Sequence, residues 1–375
     1  MNNGKKLHII SHDVPWPADY GGVVDLFYKL KALHAEGISI KLHCFEYGRG
    51  FQPELDKYCE EVNYYKRFRG WQGLSLNMPY IVKSRNNPLL LENLLKDEHP
   101  VLMEGIHCTA FLKPLLAAGR KVFLRLHNVE SLYYSQLFQR ERNLFRKIYF
   151  LNESIFLQSY EKKLPANLPV IAVSANDAVY YKMEFDKTDT RYLPVFIPHT
   201  EIKCREGLGT YCLYHGNLSV AENEKAAAWL TEKVFSLNGL PFFIAGKNPT
   251  KRLISKIQKH KNCTLVANPD DEQLDELIAS AQVHVLPSFN TTGVKLKLIN
   301  ALYNGRHCVV NDAAVQGTGM EPACHIGTNA ASFASLTAQL YRQLFSEEEI
   351  VLRKNLLPQI FDNRKNARRL IQWIW

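Results

Sequence analysis

Residues 7–11 read LHIIS, residues 23–36 read VVDLFYKLKALHAE and residues 38–45 read ISIKLHCF. The first is a short apolar run with His8 interspersed. The last alternates Ile38, Ile40, Leu42 and Cys44, the period-two pattern of a strand. Between them Val24, Phe27, Tyr28, Leu30 and Leu33 recur at helical spacing and predict one apolar helix face, stopped by Gly37. Strand, helix and strand in this order make a βαβ unit, and such units build parallel sheets through right-handed crossovers.

The pattern repeats outward from this stretch. Helical spacing is predicted over 88–97 and 144–163, and strands over 101–104, 121–127, 170–173 and 192–197, the last containing Pro194. It restarts in the second half, with strands over 210–214, 241–245, 263–266, 283–286 and 308–311 and helices over 222–235, 253–259, 271–280 and 294–303. Short apolar strands alternating with helices predict an α/β architecture of doubly wound sheets. The 375 residues are too many for one ordinary core and suit two Rossmann-like domains facing a central cleft. The predicted division is 1–198, with about 357–375 returning to it, and 199–356.

A composition of 46% apolar and 22% charged residues is that of a folded globular chain. No run reaches the roughly 18–20 apolar residues of a membrane span. Residues 1–6 are polar and lack the apolar centre of a signal peptide, so a cytoplasmic location is expected. The eight cysteines have no CxxC spacing and several sit in strand-like runs. They read as buried, reduced thiols. The net charge of +9 is spread over both halves and points to anionic partners: phosphates, anionic lipid or nucleic acid. Nucleic acid finds no recognition motif to support it.

In open α/β sheets ligands bind beyond the carboxyl ends of strands, so the strand-to-helix turns hold the candidate site residues. Asp19-Tyr20-Gly21-Gly22 lets backbone approach a ligand at a helix start, or is only a tight turn. In Arg125-Leu126-His127-Asn128-Val129-Glu130 strand alternation puts Arg125 and His127 on one face. There His127 suits a sugar hydroxyl or a phosphate, or caps the next helix. Residues 287–297, PSFNTTGVKLK, place Thr292 and Gly293 in a polar loop, followed by Lys295 and Lys297 in the first turns of a helix. Two lysines oppose the helix dipole there, which makes sense if an anion such as a diphosphate binds between them. The turns Gly216-Asn217 and Gly246-Lys247 follow two further strands, and Lys247 is within reach of a phosphate or ribose.

These turns, in this order over nearly the whole chain, resemble the GT-B glycosyltransferases, and within them the retaining, family-4-like group (glycosyl transferases group 1). The stretch 17–30 resembles the family's amino-terminal glycine loop and helix. Arg125 to Glu130 resembles an R-x-H-N-x-E variant of its His-bearing strand end. Val173 to Asp177 resembles its V-S-x-x-D, and 243–246 its strand-plus-glycine. The stretch 287–305 resembles its donor motif, P…G…K-x-x-E-A-x-x-x-G-x-P-V-V, and 363–375 resembles the final helix that crosses back onto the first domain.

The resemblance implies transfer of a hexosyl unit from a nucleotide-diphosphate sugar, a UDP- or GDP-sugar, to a hydroxyl of a glycan or lipid-linked glycan in cell-envelope polysaccharide synthesis. Retention is implied, and neither a metal nor another cofactor. The second domain would hold the donor through Gly216, Asn217, Gly246, Lys247, Thr292, Gly293, Lys295, Lys297 and Asn300. The first would hold the acceptor or a phosphate through Gly21, Gly22, Arg125 and Asn128. His127 and Lys297 would be the catalytic groups. Departures accompany this. Asn300 stands where the family has Glu, no acid lies at 290–292, Asn217 follows the second domain's first strand where many members carry Arg and Lys, and Lys225 is at the wrong spacing to replace them. These leave a second expectation, a catalytically weak nucleotide- or sugar-binding subunit. The basic-aromatic stretch of Lys57, Tyr64, Tyr65, Lys66, Arg67, Phe68, Arg69 and Trp71 is compatible with an anionic membrane surface or with a solvated loop.

Overall fold

The computed structural model describes residues 4–75, 77–141 and 143–375. They form two compact units, Met1–Pro198 with Thr292–Val294 and Phe361–Trp375, and His199–Thr291 with Lys295–Ile360.

In the first unit the apolar runs become strands β1 (Lys6–Ser11), β2 (Ser39–Glu46), β3 (Glu61–Lys66), β4 (Val101–Glu104), β5 (Val122–Leu126), β6 (Val170–Ala172) and β7 (Thr190–Tyr192). They pair in the order β3-β2-β1-β4-β5-β6-β7, parallel throughout. The order reverses between β1 and β4, and the carboxyl ends beside such a reversal are where a doubly wound sheet binds its ligand. Both faces are covered, as a parallel sheet requires. On one face Leu26, Phe27 and Leu30 of the Gly21–Ala35 helix pack with Ala367, Leu370, Ile371 and Ile374 of the Asn363–Ile374 helix. That last helix therefore belongs to the first unit's core.

The second unit repeats the plan with β8 (Cys212–His215), β9 (Phe242–Gly246), β10 (Cys263–Ala267), β11 (Val283–Val285), β12 (His307–Val310) and β13 (His325–Ile326). The order is β10-β9-β8-β11-β12-β13, again all parallel. Here the reversal lies between β8 and β11.

Several local expectations are corrected. The first helix does not bury Val24 and Tyr28 fully; its inner face is Val23, Asp25, Leu26, Phe27, Lys29, Leu30 and Leu33. Two charged residues take core positions because each finds a partner there, and an apolar count cannot see that. Part of the basic-aromatic stretch is strand β3, with Tyr65 buried. The strand expected over 192–197 ends at Tyr192. Pro194 has no N–H for the ladder, and the carbonyls of Leu193 and Pro194 are taken by Arg125 instead. The helix expected from 294 begins at Leu296, with Lys295 as its N-cap residue. The helix expected over 222–235 is Ala221–Trp229, followed by a π-helical turn at Leu230–Val234. A further helix, Glu130–Arg140, has no counterpart in the sequence reading.

All eight cysteines are free, five of them buried. Burial pushes the Cys59 thiol up to about 12 and that of Cys263 to about 11. The five buried thiols are core-like, whereas Cys204, Cys263 and Cys324 are only partly buried, contrary to the expectation of burial.

Candidate active site

At the switch point of the first sheet, five ionisable side chains meet. The Gly21–Ala35 helix places Asp25 and Lys29 one turn apart on its inner face, both fully buried. β4 ends on Glu104, β5 carries Arg125, and His127 follows β5 directly. Lys29 Nζ donates to Asp25 Oδ2 at 3.1 Å and to Glu104 Oε1 at 2.7 Å. Arg125 grips Asp25 with Nε at 3.4 Å and Nη2 at 3.2 Å. His127 Nε2 lies 3.0 Å from Glu104 Oε2, and its Nδ1 3.7 Å from Asp25 Oδ2. Burial alone would raise the Asp25 carboxyl, but Arg125 and Lys29 outweigh it and hold Asp25 below its usual range. Burial likewise opposes ionisation of Glu104, and Lys29 and His127 more than offset it. Two buried carboxylates are thus matched by two buried cations, the condition under which buried charge is tolerated.

This frame fixes His127 from both sides, so the ring's edge is set by carboxylates rather than by solvent. Asp25, Glu104 and His127 bring ligand-type atoms within 4.8 Å of one another, a set that a cation could use. The Lys29 ammonium already bonds both carboxylates. Close by, the Glu130 N–H and the Ser131 N–H donate to the buried Glu161 carboxylate, which also accepts from Tyr181 Oη at 2.6 Å. Burial, then the Glu161 charge, push Glu130 up to about 8. At neutral pH Glu130 is mostly a neutral acid.

The second unit's switch point is organised around one cation. Lys297 Nζ donates to Tyr214 Oη at 2.9 Å and to Asn223 Oδ1 at 2.8 Å, and lies over the Tyr214 ring. Tyr214 is on β8 and Asn223 on the Ala221–Trp229 helix that follows it. Burial lowers the ammonium to about 8, against the opposing pull of Glu222. An ammonium has three donors, and these two contacts use two of them. Glu222, in the first turn of the same helix, accepts from Ser288 Oγ at 2.7 Å and so ties that helix to the loop after β11. Asn311 locks the same loop by accepting from the Ser288 N–H and donating to its carbonyl.

The chemistry these groups offer, a caged histidine in one unit and a desolvated lysine in the other, sits on a known architecture. Residues 209–343 match the model of the family described as Glycosyl transferases group 1. The chain superposes on sucrose-phosphate synthase from Thermosynechococcus elongatus with a TM-score of 0.70, at 14% identity and covering 98% of both chains. It superposes on an S. aureus TarM variant in complex with Fondaparinux, alpha-GlcNAc-glycerol and UDP with a TM-score of 0.70, at 11% identity and 99% of both chains. The chain has the GT-B fold of these structures. A protein from Klebsiella pneumoniae, "Uncharacterized 44.6 kDa protein in cps region", is 27% identical to it over 335 residues, 84% of each chain.

The fold distributes the sequence-predicted residues unevenly. Lys297 stands at the centre of the second unit's site and His127 in the frame of the first. Arg125 does not reach outward: it is fully buried and spends its donors on Asp25, Leu193 and Pro194, so it positions Asp25. Gly22 makes room for a side chain, since a Cβ there would lie 3.0 Å from the His12 ring, whereas Gly21 faces open space. Asn128 bonds Glu130. Gly246 is demanded by packing, because a Cβ would run into the Gly216 carbonyl. Asn217 caps its own turn through Ser219, and Lys247 is exposed. Gly293 takes a left-handed φ of +65° in its loop with Thr292, and Lys295 adjoins it. Asn300 Oδ1 accepts from Asn304 Nδ2 at 2.6 Å. Lys225 lies over the Phe289 ring.

Asp25, Lys29, Glu104, Tyr214, Glu222 and Asn223 escaped the sequence reading. One signal was available: an Asp and a Lys at i and i+4 on the apolar side of a helix contradict a simple core face, and paired burial resolves the contradiction.

Proposed function

We propose that the enzyme moves a hexosyl unit from a nucleotide-diphosphate sugar to a hydroxyl of a glycan or lipid-linked glycan, with retention and without a metal. The observation that carries this is Lys297, a partly desolvated ammonium held by Tyr214 and Asn223 inside the segment that matches the glycosyltransferase family. A fixed cation in a low-dielectric setting stabilises charge as it develops. In this reading the bond from the anomeric carbon to the diphosphate oxygen breaks on the face where the acceptor oxygen bonds. The acceptor proton passes to the departing diphosphate, and Lys297 takes up the growing negative charge. His127 contacts the donor sugar, its ring held by Glu104 and Asp25. Lys247 and Lys295 add positive charge around the same diphosphate, with Gly216, Asn217, Gly246, Thr292, Gly293 and Asn300 lining the donor and Gly21, Gly22 and Asn128 the acceptor. The UDP bound in the similar TarM complex favours a UDP-sugar over a GDP-sugar. The cps-region relative supports polysaccharide synthesis at the cell envelope, with a cytoplasmic enzyme working beside an anionic membrane. No helix among the described residues is long and apolar enough to cross a membrane.

A thermal-shift panel of UDP, GDP, ADP, CMP and their sugars tests this. A ligand at about 100 times its dissociation constant stabilises by roughly 2.7 kcal/mol. Absence of any nucleotide response overturns the proposal. One feature favours a second reading, a weakly active binding subunit: Asn300 presents no carboxylate, and its amide oxygen is already engaged by Asn304. Nucleotide binding without donor turnover selects that reading.

A further inference from the structure

The Leu144–Lys162 helix packs along Glu130–Arg140, yet a broad stripe of it is bare. Leu144 (68% exposed), Phe145 (85%), Ile148, Ile155 and Phe156 project outward. At 100° per residue these positions fall within one arc of the helix. The acids of this helix are turned away from that arc and buried. Glu153 accepts the Ile81 N–H, and Glu161 accepts from the start of the neighbouring helix. Lys162 and Lys163 stand exposed at the far end of the arc, Arg146 is exposed in the helix's first turn, and Lys147 lies over the Phe138 ring of the neighbouring helix.

A second surface segment adjoins it. Trp71 is 89% exposed, and Leu74 is also exposed. Their turn is seated on Tyr80, for a Cβ at Gly73 would strike the Tyr80 ring. Tyr80 in turn packs edge-on against Tyr149 of the bare helix, and Arg67 lies over the Tyr80 ring. So the outer part of the basic-aromatic stretch continues the same surface, whereas Tyr64 and Tyr65 belong to the sheet.

We infer that this face of the Leu144–Lys162 helix, with Trp71 and Leu74, docks the enzyme on an anionic lipid bilayer. Apolar side chains in a cationic rim, with the helix's acids withdrawn, fit the interface of a bilayer bearing negative headgroups. The inner side of the same helix supplies Glu161, which fixes the Glu130 and Ser131 backbone three and four residues after His127. Docking would therefore hold the first unit's switch point at a set position relative to lipid. The inference deepens the reading of a lipid-linked acceptor and rests on it.

The test is co-sedimentation of the full chain with phosphatidylglycerol-containing vesicles and with pure phosphatidylcholine vesicles, at low and high salt. The expected result is binding to the anionic vesicles, weakened by salt and lowered about tenfold or more by F145S/I148S and by R146E/K147E. Each variant should keep the wild-type melting temperature. Equal binding to both vesicle types, no binding, or variants that bind like wild type overturn the inference. So does a light-scattering mass of two chains that falls to one in F145S/I148S, which would assign the face to self-association. Vesicle binding needs no donor, so a chain that binds anionic vesicles yet ignores every nucleotide keeps the surface and loses the transfer reading. The opposite pattern loses only the surface.

Discussion

The two switch points solve the placement of charge in opposite ways. The first unit neutralises its charge internally: Asp25 and Glu104 are matched by Lys29 and Arg125, all four fully buried, and His127 is the member that reaches towards the outside. The second leaves its charge unfinished. Lys297 has two neutral polar partners, and its nearby acid, Glu222, is bonded to Ser288. A closed network orients a side chain rigidly. A cation held only by neutral partners keeps its charge available to an anion. In the proposed reaction, the first unit positions and the second attracts an anion.

The sharpest way to break this contrast is Lys29→Met, which strips both carboxylates of their shared cation. Leaving buried charge uncompensated typically costs about 3–5 kcal/mol, so urea unfolding of the first unit should shift by that order. A loss under about 1 kcal/mol would mean the network is not closed. Next in size, Lys297→Ala should lower transfer by about 10²–10³-fold, the usual consequence of removing one donor to developing charge. The melting temperature should hardly move, since no buried counter-charge is stranded. Wild-type turnover in that variant would remove Lys297 from the reaction.

A third measurement separates the units by pH. Glu130 is raised from its ordinary 4.5 to about 8. The unfolded chain therefore releases this proton first, the folded chain holds it, and stability is lost as pH rises from about 4.5 to about 8. The slope should approach roughly 1 kcal/mol per pH unit. Glu130→Gln should flatten that slope, and an unchanged slope in chemical denaturation across the window refutes the protonated acid. The smallest effect concerns the open site. Lys297 titrates at about 8, so UDP affinity measured by calorimetry should be nearly constant below pH 7. It should fall up to about tenfold per pH unit above 8. Affinity that ignores pH between 7 and 9 would place the diphosphate away from Lys297.

Much of this was legible in the chain. Period-two and helical spacing located ten of the thirteen strands, because a strand buried on two faces must be apolar throughout, while the polar edge strands β3, β7 and β13 were missed or misplaced. The turns were legible as well, because glycines and polar residues cluster where strands end. Lys297 stood out as a lysine at a helix start. What failed to show were partners. Nothing near Lys297 in sequence names Tyr214 or Asn223, which come from a different strand and helix. Arg125 reads as an exposed ligand group until the Gly21–Ala35 helix supplies Asp25.

The sequence by itself determined the alternation of elements, the two sheets and the positions of the turns, since these follow from local spacing and backbone chemistry. Only the tertiary structure decided which charges are closed off and which remain available. Burial and pairing depend on residues far apart in the chain, Asp25 with Arg125 and Tyr214 with Lys297, and those contacts set whether a side chain supports the fold or faces a ligand.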